Sequence, residues 1–224
     1  MKANPQLIQT KDGSHTLYLP GIDEQYHSLN GAITESLHIY INNGYLYQQG
    51  EGKNVFEVGF GTGLNCLLTA LESEKQNTPT TYTAIEKYPL PNELARQLNY
   101  PELLDKEAVG LFKKIHQANW GKPVMITGTF SLHKIQLDII TQPLPGVLPA
   151  DVIYFDAFGP GKQPEIWGLP VFEKVSAIAK KNAVFVTYSV KGTVKRRLIS
   201  VGFQIEKLPG PPGKKEILRG IKAG

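Results

Sequence analysis

The sequence predicts an α/β fold with a mostly parallel sheet, helices on both faces and an antiparallel hairpin near the C-terminal end. Three observations support this prediction. From Lys53 onward, short apolar strand segments alternate with segments of helical periodicity. A glycine-rich turn separates the first of these strands from its helix. The last two strand segments flank the Pro/Gly turn Pro209–Gly213, which requires them to lie antiparallel.

The periodicity also sets the order of the elements. The predicted strands are 54–58, 80–85, 151–155, 183–187, 203–208 and 215–220, with a hairpin or a pair of strands between 124 and 140. The predicted helices are 64–72, 90–98, 103–116, 171–179 and 194–201. A parallel sheet that ends in an antiparallel hairpin is the layout of Rossmann-like class I methyltransferases. We therefore predict a mostly parallel sheet of their seven-stranded type.

No repeat, low-complexity tract or Ser/Gly linker divides the chain, so we predict one domain over 1–224. Its Rossmann-like core is expected over 53–224. Residues 1–50 are polar, turn-rich and aromatic, with short strand-like pieces such as 16–19, and are expected to form a lid-like N-terminal extension.

Composition excludes several classes of protein. No apolar stretch approaches the roughly 20 residues of a membrane-spanning helix. The segment Met1–Gln6 has a single lysine and no apolar run behind it, so a signal peptide is not expected. Cys66 is the single cysteine, which excludes an intramolecular disulfide. A single cysteine also suits a reducing, cytoplasmic location. The five histidines show no metal-ligand spacing, so we expect no metal.

Positive charge is concentrated at the C-terminal end. Twelve of the 24 Lys and Arg residues lie within 174–224, against two acidic residues, which gives this part a net charge of about +10. Residues 1–173 carry about −6. Such an asymmetry indicates a polyanionic partner, although a solvated lysine-rich surface explains it equally well.

The strongest motif is EVGFGTG, Glu57–Gly63, at the junction of the first strand and its helix. Glycines at this edge of a sheet allow a sharp turn and close approach to a ligand. A dinucleotide site needs a third glycine, but counting from Gly61 places Cys66 there, and counting from Gly59 places Leu64. The pattern therefore favours S-adenosylmethionine, whose cationic amino group suits an acidic residue. The predicted cofactor-binding residues in this motif are Glu57, Gly59, Gly61 and Gly63.

Two acidic residues follow the next strands. Glu86 ends the second strand, where a carboxylate can accept hydrogen bonds from ribose hydroxyls. Asp138 precedes a Pro-rich turn and is expected either to meet the adenine amino group or to cap that turn.

The second motif is DAFGP, Asp156–Pro160, directly after the strand 151–155. Methyltransferases that act on amines often place an acid and an aromatic residue here. Asp156 is the predicted catalytic residue, since a carboxylate can orient a neutral amine and take its departing proton. Phe158 and Lys162 are predicted to contact the acceptor, and Trp167 suits packing as well as base stacking.

With these motifs, the chain resembles the methyltransferase part of the bifunctional tRNA 5-methylaminomethyl-2-thiouridine biosynthesis proteins. The matching segments are 12–13, 23–28, 31–32, 35–38, 57–65, 85–87, 156–167, 195–197, 202–203 and 213–218. This resemblance covers roughly 10–219, and Asp156–Trp167 is its most specific segment. It implies S-adenosyl-L-methionine-dependent methylation of the aminomethyl nitrogen of a modified tRNA wobble uridine, 5-aminomethyl-2-thiouridine, to 5-methylaminomethyl-2-thiouridine.

Members of that family also carry a flavin-dependent oxidoreductase that exposes the amine. Here the sequence ends at Gly224, so a separate flavin-dependent enzyme is expected to supply the aminomethyl substrate. The C-terminal cations Arg196, Arg197, Lys214 and Lys215 are predicted to hold the tRNA backbone. Three alternatives stay open: methylation of a small-molecule or protein amine, a nicotinamide-dependent oxidoreductase, and a non-catalytic RNA-binding module.

Overall fold

The computed structural model describes residues 5–224. Residues 1–4, which belong to the segment considered above as a signal peptide, lie outside the described residues. The strands are β1 (Gln6–Gln9), β2 (His15–Leu19), β3 (Glu24–Gln25), β4 (Lys53–Val58), β5 (Thr80–Glu86), β6 (Pro123–Met125), β7 (Phe130–Gln136), β8 (Ala150–Phe155), β9 (Ala179–Thr187), β10 (Phe203–Pro209) and β11 (Glu216–Lys222). The α-helices are α1 (Ala32–Ser36), α2 (Leu64–Gln76), α3 (Asn92–Ala95), α4 (Tyr100–Leu103), α5 (Lys106–Gln117), α6 (Leu169–Ile178) and α7 (Gly192–Ser200), and Leu37–Tyr45 forms a π-helix.

Eight strands form the central sheet in the order β10-β11-β9-β8-β4-β5-β7-β6. The five central strands, from β9 to β7, are parallel. Antiparallel pairs complete both edges, β6 with β7 on one side and β11 with β9 and β10 on the other. The predicted fold class is confirmed. The hairpin predicted between 124 and 140 is β6 and β7, and it brings the sheet to eight strands, one more than in the seven-stranded type.

Apolar side chains on the two faces of the sheet form two core layers. The layer beneath α2, α5 and the π-helix includes Tyr82, Tyr154 and Phe130. The layer beneath α6 and α7 includes Phe155 and Phe185, which stack with ring centroids 5.7 Å apart. The predicted helix 90–98 is instead α3, which spans four residues, and α4 follows it. Among residues 5–224, no helix is long and apolar enough to cross a membrane.

The N-terminal segment divides into two parts. Strands β1–β3 form a separate antiparallel sheet beside the carboxyl ends of the central strands. The following α1 and π-helix belong to the core, since Tyr40 and Tyr45 are at most 1% exposed. At Gly44 a Cβ would lie 3.0 Å from Val186, so this glycine allows the π-helix to pack directly on the sheet. Residues 32–45 of the predicted lid-like extension are thus an integral wall of the fold.

Candidate active site

The glycine loop connects β4 to α2 at the carboxyl edge of the sheet. Gly59, Gly61 and Gly63 have φ angles of +92°, +50° and +75°, a region that side chains with a Cβ rarely adopt. A Cβ at Gly59 would also lie 2.8 Å from the Asp156 carbonyl oxygen. At Gly61 it would lie 3.2 Å from the Tyr26 ring. The backbone conformation and packing of the loop therefore require glycine at these positions, whether or not a ligand is bound.

Strand β5 fixes the loop through its last two residues. The Ile85 carbonyl oxygen accepts hydrogen bonds from the N–H groups of Gly59 and Phe60 at 3.0 and 3.2 Å. The Glu86 carboxylate accepts the Gly61 N–H at 3.1 Å and the Tyr88 N–H at 2.9 Å. Burial raises the pKa of Glu86. Glu86 therefore holds the loop and also faces the cavity, where its role toward ribose hydroxyls stays a prediction.

Asp138 lies two residues beyond the end of β7 and lines the same cavity. Its carboxylate accepts the Ile140 N–H at 3.0 Å and forms an ion pair with Lys87 at 2.9 Å. Burial acts to raise the pKa of Asp138, but the Lys87 ammonium and this hydrogen bond lower it overall. The turn-capping role proposed from the sequence is present, and contact with an adenine stays a prediction.

Glu57 differs from its predicted position. It is 1% exposed, lies beneath the glycine loop and is not among the residues that line the cavity. Its carboxyl accepts a hydrogen bond from Asn65 at 3.0 Å. Burial raises the pKa of Glu57 well above its usual range. The structure thus places Glu57 behind the cavity lining, in contact with Asn65 of α2, and its direct contact with the cofactor stays a prediction.

Asp156 lies where β8 ends, opposite the glycine loop. Its carboxylate accepts hydrogen bonds from the Tyr40 hydroxyl at 2.6 Å and from Asn65 at 2.8 Å. Burial raises its pKa to about 7, with a further contribution from Glu35 and partial compensation by Tyr40. A carboxyl with this pKa accepts and releases protons near neutral pH. The two donors fix its orientation toward the cavity.

The cavity in front of Asp156 and the glycine loop has a volume of about 890 Å³. Phe158 lines it and meets Tyr26 edge-to-face, with ring centroids 5.0 Å apart. Tyr188 also lines it and donates a hydrogen bond to the Ala157 carbonyl oxygen at 2.7 Å. The charged residues of the lining are mostly acidic: Glu24, Glu35, Glu86, Asp138, Asp156 and Glu165, against Lys87 and Lys214. A cavity lining with this excess of acidic side chains suits cationic groups.

The predicted acceptor-binding lysines and arginines occupy different environments. Lys214 lines the cavity, with its ammonium 3.4 Å from the Glu35 carboxylate. Lys162 lies outside the cavity lining and is 3.4 Å from Asp23. Arg197 is half-buried and donates to the Trp167 carbonyl oxygen at 2.6 Å, so its guanidinium has a structural partner. Arg196 is exposed and lies in α7. Lys215 is exposed and lies in the turn that precedes β11.

Several contributors were not predicted from the sequence. Tyr40 and Asn65 donate hydrogen bonds to Asp156, and the charge of Glu35 raises its pKa. Asn65 and Glu35 were included only within matching segments of the sequence, and Tyr40 was not included. Trp167 is fully buried and donates to the Phe158 carbonyl oxygen at 2.7 Å, so it packs and does not stack on a base. His27 lines the cavity, and burial lowers its pKa to about 4. Within residues 5–224, no group of three His, Cys, Asp or Glu side chains is placed to hold a metal ion.

This combination of fold and site defines a class of protein. A glycine loop after the first core strand, acidic residues after the next two strands and a C-terminal antiparallel hairpin form a Rossmann-like, class I S-adenosylmethionine-dependent methyltransferase. Residues 112–223, half of the chain, match the family described as S-adenosyl-L-methionine-dependent methyltransferase. The chain belongs to this family, and its cofactor is S-adenosyl-L-methionine. The nicotinamide-dependent alternative is therefore wrong.

Curated relatives carry a more specific name. A protein of Cupriavidus necator, tRNA 5-methylaminomethyl-2-thiouridine biosynthesis bifunctional protein MnmC, is 31% identical over 88% of this chain and 31% of its own length. The protein of that name from Cupriavidus metallidurans is 31% identical over 94% of this chain and 33% of its own. The chain thus spans about a third of the length of these relatives. The resemblance predicted from the sequence is confirmed.

Solved structures agree on the fold. MNMC2 from Aquifex aeolicus superposes with a TM-score of 0.81 and 23% identity, over 99% of this chain and 72% of the other. Spermidine synthase from Thermotoga maritima superposes with a TM-score of 0.60 and 14% identity, over 98% of this chain and 69% of the other. At these identities the similarity establishes the fold alone.

Proposed function

We propose that the chain methylates the aminomethyl nitrogen of a modified wobble uridine in tRNA, with S-adenosyl-L-methionine as the methyl donor. The observation that carries this proposal is Asp156, a buried carboxyl of pKa about 7 that faces an acid-lined cavity beside the glycine loop. The names of the relatives supply the product, 5-methylaminomethyl-2-thiouridine. The acceptor that we propose, 5-aminomethyl-2-thiouridine, is this product without its N-methyl group.

The residues around the cavity fit the cofactor. S-Adenosyl-L-methionine carries a cationic amino group and a sulfonium, which an acidic lining attracts. We place it against Gly59, Gly61 and Gly63, with Glu86 toward the ribose and Asp138 toward the adenine. Glu57 contributes indirectly, through its hydrogen bond with Asn65. When bound, the cofactor supplies an electrophilic methyl group.

Asp156 then acts on the acceptor. Its ionised carboxylate accepts a hydrogen bond from the neutral amine and aims the nitrogen lone pair at the methyl carbon. With the cofactor bound, the methyl group would pass from sulfur to this nitrogen by direct displacement, with inversion at carbon and release of S-adenosylhomocysteine, and Asp156 would take up the amine proton. Tyr40 and Asn65 hold the carboxylate in place during this transfer. Phe158 packs beside the acceptor base.

Deletion of the gene is expected to remove 5-methylaminomethyl-2-thiouridine from tRNA and to leave the 5-aminomethyl precursor in its place. Mass spectrometry of tRNA nucleosides from the deletion strain measures both compounds. The purified protein and S-adenosyl-L-methionine should convert the accumulated precursor in vitro. Normal nucleosides in the deletion strain, together with methylation of a small or protein amine by the purified protein, would favour the alternative acceptor.

We place this reaction in the cytoplasm, where tRNA is modified. Because the acceptor is a primary amine, an earlier enzyme must expose it, and the word bifunctional in the relatives' name supports a second activity for that step. We propose that a separate flavin-dependent enzyme supplies that activity. The partner is part of the proposal, as is the tRNA itself.

The cations at the carboxyl edge of the sheet support an RNA-binding face. The N-terminus of α7 and the turn between β10 and β11 lie at this edge, near the cavity. By contrast, Lys180 and Lys181 lie at the opposite edge, where β9 begins, and Lys180 pairs with Asp151 at 2.8 Å. The positive charge of residues 174–224 is thus divided between the two edges of the sheet. We propose that the cations at the carboxyl edge face the tRNA.

Replacing Arg196 and Lys215 together by Gln is expected to weaken tRNA binding and its salt dependence. Each lost phosphate contact should flatten the slope of log affinity against log salt by about 0.7–0.9. Filter binding across a salt series measures this slope. The matched control replaces Lys180 and Lys181 by Gln and should leave the slope unchanged. Equal slopes for both double variants would place the RNA elsewhere.

A further inference from the structure

A buried acidic side chain faces the cavity from the π-helix side. Glu35 lies on α1 and is 8% exposed, and its Oε2 forms a long ion pair with Lys214 Nζ at 3.4 Å. Burial raises the pKa of Glu35, and Lys214 partly offsets this. A buried carboxylate is costly unless a donor satisfies it, and the 3.4 Å separation leaves room for a donor that approaches this oxygen more closely.

Glu35 lies near the reacting carboxyl. It lines the same cavity as Asp156 and is close enough to raise the pKa of that residue. Tyr188 forms the adjacent wall, with its ring 5.0 Å from Lys214 Nζ. Two carboxyls and an aromatic face around one space are the elements that bind an amine or ammonium group.

Lys214 brings such a group into this space. It extends from the turn between β10 and β11, and its side chain ends in a primary aliphatic amine on a flexible stem. The proposed acceptor also presents a primary aliphatic amine. Lys214 Nζ therefore occupies the kind of position that the acceptor nitrogen requires, next to Glu35 and within the cavity that contains Asp156.

We propose that Glu35 binds the acceptor amine beside Asp156 and that the Lys214 ammonium occupies this site until the acceptor displaces it. This inference rests on the proposed function for the identity of the acceptor. It gives Lys214 a role opposite to that of a phosphate-binding cation. A resident competitor reduces the apparent affinity for the acceptor in proportion to the fraction of open sites.

Calorimetric titration of 5-aminomethyluridine into the protein saturated with S-adenosylhomocysteine tests the site directly. Lys214→Met should bind this nucleoside about threefold to tenfold more tightly than the wild type, because the competitor is gone. Glu35→Gln should bind it about tenfold to a hundredfold more weakly, since a charged hydrogen-bond acceptor is lost. Uridine, which lacks the amine, should bind all three proteins equally. Glu35→Asp should recover part of the affinity.

Steady-state methylation of tRNA that carries the 5-aminomethyl group provides the second readout. Lys214→Met should lower KM for tRNA, and Glu35→Gln should raise it more than it lowers kcat, with KM for S-adenosyl-L-methionine unchanged. A higher KM for Lys214→Met with a flatter salt slope would overturn the proposal in favour of a phosphate contact. Unchanged nucleoside binding by Glu35→Gln would also overturn it. Failure of the wild type to methylate this tRNA would instead contradict the proposed function.

Discussion

Replacing Asp156 by Asn is expected to lower kcat by about 10²–10⁴, the range typical of lost acid–base assistance. The asparagine keeps the shape of the side chain but takes up no proton from the amine. Affinity for S-adenosyl-L-methionine should change far less, because the glycine loop and Glu86 hold that part of the site. Single-turnover methyl transfer and calorimetric titration of the cofactor separate the two effects. Near-normal turnover by this variant would remove Asp156 from the mechanism.

The pH dependence gives a sharper test of the same residue. Transfer requires an ionised Asp156, with a pKa of about 7, and a neutral aliphatic amine, with a pKa on the order of 10. Log kcat/KM of the wild type should therefore rise with slope two below pH 7 and slope one above it. The Asp156→Asn variant should keep slope one throughout. A single slope for the wild type across this range would contradict the assignment.

The stability of the folded protein should fall with rising pH, opposite to the rise of kcat/KM. The pKa of Asp156 is raised in the folded protein from 3.8 to about 7 by burial, so ionisation is easier in the unfolded chain. Its cost to stability is absent below about pH 4, grows as pH rises and is complete above pH 7, where it amounts to about 1–4 kcal/mol. The wild-type Tm should fall between pH 5 and pH 8, and that of Asp156→Asn should fall less.

Replacing Gly59 by Ala is expected to abolish measurable binding of S-adenosyl-L-methionine. The added Cβ would lie 2.8 Å from the Asp156 carbonyl oxygen, a backbone atom that cannot move away without displacing β8. The φ angle of +92° adds strain of about 1–3 kcal/mol. The loop must therefore shift away from Asp156. This shift would increase the distance between the cofactor side of the cavity and the acceptor side. Titration with S-adenosyl-L-methionine, S-adenosylhomocysteine and NADH measures the loss, and NADH should bind neither protein.

Gly110→Ala is the matched control. Gly110 lies in the exposed face of α5, and nothing lies within 4 Å of a Cβ at this position. The same substitution should leave cofactor binding unchanged and stabilise the helix by about 0.5–1 kcal/mol. If Gly59→Ala bound the cofactor as tightly as Gly110→Ala, the loop would not be part of the site.

The order of strands and helices in the core follows from sequence periodicity. Apolar runs of strand length between amphipathic segments specify parallel pairing, and the turn Pro209–Gly213 specifies the final hairpin. Glycine spacing in Glu57–Gly63 distinguishes the methyltransferase loop from a dinucleotide loop. Asp156 follows its strand directly, so its place at the carboxyl edge was also predictable. All these features depend on neighbours in the chain.

The N-terminal wall was not predictable in this way. Residues 37–45 form a π-helix, whose repeat differs from the 3.6-residue period used to recognise helices, so Tyr40 gave no helical signal. The contacts of Tyr40 and Glu35 with the site span more than a hundred residues of sequence. Only packing of this wall against β8 and β9 brings them to Asp156.

The sequence by itself determined the fold class, the glycine loop and the position of Asp156 at the carboxyl edge of the sheet, because these depend on local pattern and strand order. Tertiary structure decided which charges can meet a ligand. It buried Glu57 under the loop, directed Arg197 to the Trp167 carbonyl and brought Lys214 beside Glu35. Charge acts through distance and burial in three dimensions, and neither quantity is encoded in composition or spacing.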